Sequence, residues 1–207
     1  MLTFEIQHQP AYSRGELLVR TFFGWLYICI PHLILIFFFA FAVWFMTLAT
    51  FFIILFTGVT PGWYHEWAVK LNRWALRLSA RVYNLVDGYP AFGMEGTDDK
   101  TSYDLEFWQI SRGEMLLRTF LGWIYVGIPH GFILYFRFIG SLFLMIFAFF
   151  AVLFTGNYPE EWHRFNTGTL RWQNRVNLYL VWLYKDYPPF SGKPDSKQAF
   201  EFEAAQS

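Results

Sequence analysis

Two histidines stand inside long apolar runs: His32, after Ile30-Pro31, and His130, after Ile128-Pro129. An ionisable ring in such a run is a candidate site by default. A symmetric pair of imidazoles could ligate haem or another metal through nitrogen. The same positions also have a structural explanation. Each histidine follows a proline, which leaves a carbonyl one turn earlier without its N–H partner, and a nearby polar side chain can satisfy it.

A second pair, His65 and His163, also corresponds, with Glu66, Glu160 and Glu161 close in sequence. A surface metal site is conceivable there, but the spacing matches no ligand pattern such as His-Glu-x-x-His, and the acidic residues are not at equivalent positions. Hydrogen bonding at headgroup level is the simpler reading. Lys70, Arg73, Arg77 and Arg81 form a basic series at three- or four-residue steps, with Trp74 among them; Arg171, Trp172 and Arg175 form another. These residues suit anionic lipid headgroups, a partner protein, or plain interfacial anchoring. Phospholipid is the expected bound molecule, and no cofactor is expected. No carboxylate lies inside the apolar runs, and there is no nucleophile elbow, phosphate loop, dinucleotide glycine motif or Cys-x-x-Cys pair. Ser13 and Ser111 read as helix caps. An enzyme is not expected.

The elements that must position these residues come twice. Ser13-Arg14-Gly15-Glu16 returns as Ser111-Arg112-Gly113-Glu114, and the likeness continues without a gap to Phe92 and Phe190. At that constant shift, roughly 31 of 80 positions are identical, the signature of an internal repeat. The chain divides into 1–98, 99–190 and a polar tail, 191–207, expected to be mobile, in which Phe200-Glu201-Phe202 could meet a partner.

Leu17 to Phe56 and Met115 to Phe154 are almost wholly apolar. Each is close to twice the roughly 20 residues that one helical crossing of a bilayer requires. The expected fold is therefore all-α and membrane-embedded, with membrane helices over 17–57 and 115–155. Two crossings per unit would keep the copies in like orientation and put nearly all Lys and Arg on the cytoplasmic side. Helical hairpins turning near Phe38–Ala42 and Phe136–Ser141, the latter around Arg137, satisfy that condition; a single long kinked helix is the alternative. Both termini are then cytoplasmic. Equal numbers of acidic and basic residues, 16 of each, argue against nucleic acid as a partner. The single cysteine excludes an internal disulfide, and the N-terminus lacks the pattern of a cleaved signal peptide.

Local signals delimit the helices. Ser13 and Glu16, like Ser111 and Glu114, have capping-box spacing, and Glu16 precedes Arg20 by four residues, the favourable order for an ion pair. Gly58 and Gly156 follow the last apolar residues and should close the helices in the left-handed conformation, with Pro61 and Pro159 preventing resumption. Pro31 and Pro129 should kink them. Amphipathic helices over 62–86 and 160–184 should then lie flat in the interface, because central arginines facing lipid cost several kcal/mol. Alternation in Leu2–Ile6 and Tyr103–Phe107 suits short extended segments.

Ile30-Pro31-His32, Leu55-Phe56-Thr57-Gly58 with Pro61, Arg73-Trp74 and Tyr89-Pro90 together resemble a widespread bacterial membrane-protein family known only as a domain of unknown function. The second copy is the closer match, with Tyr158-Pro159 and Tyr187-Pro188-Pro189-Phe190; the first departs at Thr60-Pro61 and Pro90-Ala91. The resemblance implies a bacterial inner-membrane location and carries no activity, substrate or catalytic residue. The functional expectation is an accessory or scaffold subunit of a larger inner-membrane assembly, with an oligomer of the chain left open and a small transporter or lipid-handling protein as the alternative.

Overall fold

The computed structural model describes residues 1–195, so the Phe200-Glu201-Phe202 segment lies outside the described residues. Strand β1 (Leu2–Ile6) leads into helix α1 (Arg14–Gly24), a five-residue π-helical turn (Trp25–Cys29), helix α2 (Ile30–Thr57) and helix α3 (Gly62–Val82). The series then recurs as β2 (Thr101–Leu105), α4 (Arg112–Gly122), a π turn (Trp123–Gly127), α5 (Ile128–Thr155) and α6 (Glu160–Leu180). Corresponding helical segments have the same lengths in the two halves. The molecule is mostly helical, and two continuous helices of 44 residues, Arg14–Thr57 and Arg112–Thr155, are long and apolar enough to cross a membrane.

The caps form as their sequences dictate. Ser13 Oγ accepts from the Glu16 N–H at 3.3 Å, and Ser111 Oγ from Glu114 at 3.2 Å. The reciprocal half of the box is replaced: the Ser13 N–H goes to Asp87 at 2.7 Å, and Glu16 accepts from Gly88. Gly58 and Gly156 both take φ of 77°, a left-handed conformation that a side chain would strain.

The hairpins expected near Phe38–Ala42 and Phe136–Ser141 do not form. Helix runs unbroken through both positions. The 137–141 stretch contains no helix breaker strong enough to turn the chain, and Arg137 is accommodated sideways: its Nε donates to Thr169 at 3.1 Å and its guanidinium lies over the Phe165 ring. The turn comes instead after Thr57 and Thr155, and the shorter helices fold back along the longer ones. Tyr64 meets Thr47, and Trp67 and Trp74 meet Phe39, while Trp162 lies beside Phe147.

The long helices run antiparallel and touch near their ends. Arg14 donates to the carbonyl of Phe154 at 3.1 Å, and Arg112 to that of Phe56 at 3.0 Å. Each arginine thus satisfies a carbonyl that the other helix leaves open at its C-terminus. Strands β1 and β2 pair antiparallel with Phe4 opposite Tyr103. The second strand begins two residues earlier than its alternation suggests. Residues 191–195, expected to be mobile, are fastened: Asp195 accepts from the Leu2 N–H at 2.7 Å and pairs with Arg175 at 2.7 Å.

Candidate functional site

Each half builds one enclosed aromatic cluster around its proline-linked histidine. In the first, the indole N–H of Trp74 donates to His32 Nδ1 at 2.8 Å. Indole is only a donor, so the neutral ring carries its proton on Nε2, 3.1 Å from the Tyr89 hydroxyl. Phe92 closes the cluster, with its centroid 4.7 Å from the imidazole. In the second, Trp172 donates to His130 Nδ1 at 2.9 Å, and Phe190 stacks flat on the ring at 3.9 Å. Both histidines are fully buried.

The carbonyls freed by proline are met by tyrosine and not by histidine. Pro31 can offer no N–H to Tyr27, four residues earlier, and the Tyr89 hydroxyl lies 3.3 Å from that oxygen. Pro129 leaves Tyr125 in the same position, and Tyr187 supplies its hydroxyl at 3.1 Å. The π turns immediately before the prolines contain these carbonyls. The Tyr-Pro segments, which read in sequence as helix terminators, are therefore ties between the end of each half and its long helix. The offset of four between Tyr27 and Pro31 was the available clue to which oxygen needed a donor.

As ligands the histidines are poorly placed. In both, Nδ1 is occupied by an indole, and His32 Nε2 also has a partner. His130 Nε2 has no hydrogen-bond partner, but its ring face is covered by Phe190. Among the described residues no group of three or more His, Cys, Asp or Glu side chains could hold a metal. His65 and His163 serve the backbone: their Nε2 atoms lie 2.8 Å from Leu105 O and 3.2 Å from Leu85 O. Burial, and the His8 ring beside it, push His163 down to about 4. Burial also lowers His65.

The basic series does not form the outward interface expected of Lys70, Arg73, Trp74, Arg77, Arg81, Arg171, Trp172 and Arg175. Trp74, Arg77, Arg81, Arg171, Trp172 and Arg175 are all buried within the chain. Arg77 donates to the carbonyls of Ala91 and Gly93 at 3.2 and 2.5 Å, and Arg175 to those of Ser191 and Lys193 at 3.1 and 2.6 Å. Arg81 pairs with Asp98, whose carboxyl burial would raise; hydrogen bonds from Arg81, the Lys100 N–H and Thr101 outweigh burial and hold it below its ordinary range. Arg171 donates to Phe4 O and pairs with Glu5, both at 2.9 Å. Its counterpart Arg73 reaches Tyr103 O at 2.9 Å and Asp104 at 3.1 Å, and only Lys70 and Arg73 of the series remain substantially in solvent. Charge this deep is tolerated because Arg81, Arg171 and Arg175 each face a carboxylate and Arg77 donates to two carbonyls.

Two further arginines turn inward: Arg20, whose expected pairing with Glu16 forms at 3.7 Å, and Arg118, which nothing in its sequence context marked. Arg20 bonds Asn84 at 2.7 Å and Asp87 at 3.0 Å. Arg118 bonds Tyr184 O and Lys185 O at 2.6 Å, pairs with Glu114 at 2.5 Å and lies 3.6 Å above the Tyr179 ring. Arg73 and Arg171 tie each half to the strand of the other, and the other buried arginines hold segments of their own half together.

A family described as a domain of unknown function (DUF4389) matches residues 116–192, a stretch that contains Pro129, His130, Trp172, Arg175, Tyr187 and Phe190. Comparison with curated proteins and with solved structures finds no match.

Proposed function

We propose that this chain is a non-catalytic, membrane-resident scaffold: an accessory subunit of a larger bacterial inner-membrane assembly. The observation that carries the reading is a division of labour between faces. The long helices expose an apolar surface rich in phenylalanine, whereas the charged side chains, apart from Arg14 and Arg112 at the helix ends, belong to α3, α6, the strands and their connections, or turn toward them. Apolar surface of that extent, far above the few hundred Å² usual on a soluble monomer, marks a membrane or protein contact. The buried arginines are spent on the chain's own carbonyls and carboxylates, which suits a rigid platform. Phospholipid covers the apolar face, and a protein partner docks on the polar one.

A transporter finds no comparable support. The two histidines that would have lined its path are each enclosed by an indole, a tyrosine and a phenylalanine of their own half. The test is purification from native membranes in mild detergent. A stoichiometric partner protein is expected; a monomer or simple homodimer with nothing else bound contradicts the scaffold role.

A further inference from the structure

The two long helices pass every composition test for spanning a bilayer, yet their packing is incompatible with doing so. On the first, exposed large apolar side chains run from Leu18 to Phe56. At 1.5 Å per residue that strip is about 57 Å long. The hydrocarbon core is about 30 Å thick, so keeping a straight strip of this length inside it while crossing requires a tilt of about 60°, beyond the 0–40° seen for membrane helices. The second helix repeats the problem from Leu117 to Phe154.

The neighbours make crossing harder still. Helix α3 lies along α2 from Thr47 back to its first turn, through Tyr64 on Thr47 and Trp74 on His32. If α2 crossed, α3 would be carried into the core with Glu66 and Arg73 exposed. Helix α6 lies against α5 in the same way, and would carry in Glu160, Glu161 and Arg164, each more than half exposed. Arg164 pairs with both glutamates and Arg73 with Asp104, yet exposed charges at that depth, paired or not, are among the most costly groups a membrane protein can present.

We propose that the chain is monotopic: both long helices lie in the plane of the membrane, sunk in one leaflet, with α3, α6 and the strands on its aqueous side. This rests on the membrane-resident reading above. The occupant of the apolar strips is then the acyl-chain region of a single leaflet. Several polar groups along the strips are satisfied internally, as a water-free surface favours. Thr57 and Thr155 donate to Ile53 O and Ala151 O at 2.6 and 2.7 Å, and the Trp25 indole to Phe22 O at 3.1 Å. The one cation in mid-strip, Arg137, turns sideways to α6. At the strip ends Arg14 and Arg112 cover the open carbonyls of the opposite helix and remain accessible to anionic headgroups.

The test uses single cysteines flanking the first long helix, Ala11→Cys and Glu66→Cys, each in a Cys29→Ser background, labelled in sealed membrane vesicles of both orientations with an impermeant maleimide. Both sites are exposed, and their side chains make no hydrogen bond among the described residues. Gly113→Cys and Glu161→Cys repeat the measurement on the second helix. The proposal expects both members of each pair to label fully from the same side and not at all from the other. Labelling from opposite sides overturns it while leaving the membrane reading intact. Recovery of the wild-type chain in the supernatant after carbonate washing overturns both.

Discussion

The Tyr187 hydroxyl donates to the carbonyl of Tyr125 at 3.1 Å, and Tyr125 stands four residues before Pro129. Tyr89 stands in the same relation to Tyr27 and Pro31. Proline removes one donor from the long helix, and a tyrosine from the closing segment of the same half restores it. Tyr187→Phe should therefore cost about 0.5–1.5 kcal/mol, the net worth of one hydrogen bond, since this bond is exposed. Restoring the N–H with Pro129→Ala should recover much of that loss in the Tyr187→Phe background. Unfolding in graded denaturing detergent, run as a double-mutant cycle, measures the coupling.

Trp172→Phe keeps the ring of the second cluster but removes the donor to His130 Nδ1. A loss of about 1–3 kcal/mol is expected, because a buried acceptor is left without its donor. Titration with haem should give no Soret shift in the wild type, since both histidines face indoles; a stoichiometric shift abolished by His32→Ala plus His130→Ala would restore the ligand reading.

Arg73 and Arg171 occupy equivalent sequence positions but different surroundings. Arg171 is buried against Glu5, Phe4 O and Gly192 O. Its replacement by alanine should destabilise the fold by about 3 kcal/mol, because the groups it serves lose their partner. Arg73 is substantially exposed, and Arg73→Ala should cost under about 1 kcal/mol. Equal effects of the two variants on stability would contradict the burial described.

His163 supplies a pH signature. Its ring titrates at about 4 in the folded chain and near 6.5 when unfolded. Between these values the unfolded chain binds a proton that the folded chain refuses, so stability rises with pH across the window. The contribution is complete above about pH 6.5 and falls by about 3 kcal/mol as pH drops to 4. Thermal unfolding from pH 4 to 7 should show this slope, and His163→Phe should flatten it.

The helix ends were legible because their signals are local. Ser13, Ser111, Gly58 and Gly156 act on backbone groups within a turn of themselves, and the apolar runs mark the long helices to within a few residues. What misled was scale. A 40-residue apolar run suggests two crossings only if its axis follows the membrane normal, and nothing local in Phe38–Ala42 encodes a turn. The fate of the arginines was illegible for a different reason. Their partners lie far away in sequence, as with Arg171 and Glu5 or Arg20 and Asp87, so a polar stripe that resembled an outer surface is an internal seam. The tyrosine ties are likewise long-range, though the prolines announced that a donor was needed.

The scaffold account is tested most directly by photo-crosslinking in native membranes, with a benzophenone side chain placed at Glu66 on the polar face or at Phe41 on the apolar one. The account predicts one discrete protein adduct from Glu66 and only lipid adducts from Phe41. A protein adduct from Phe41 with none from Glu66 would contradict it.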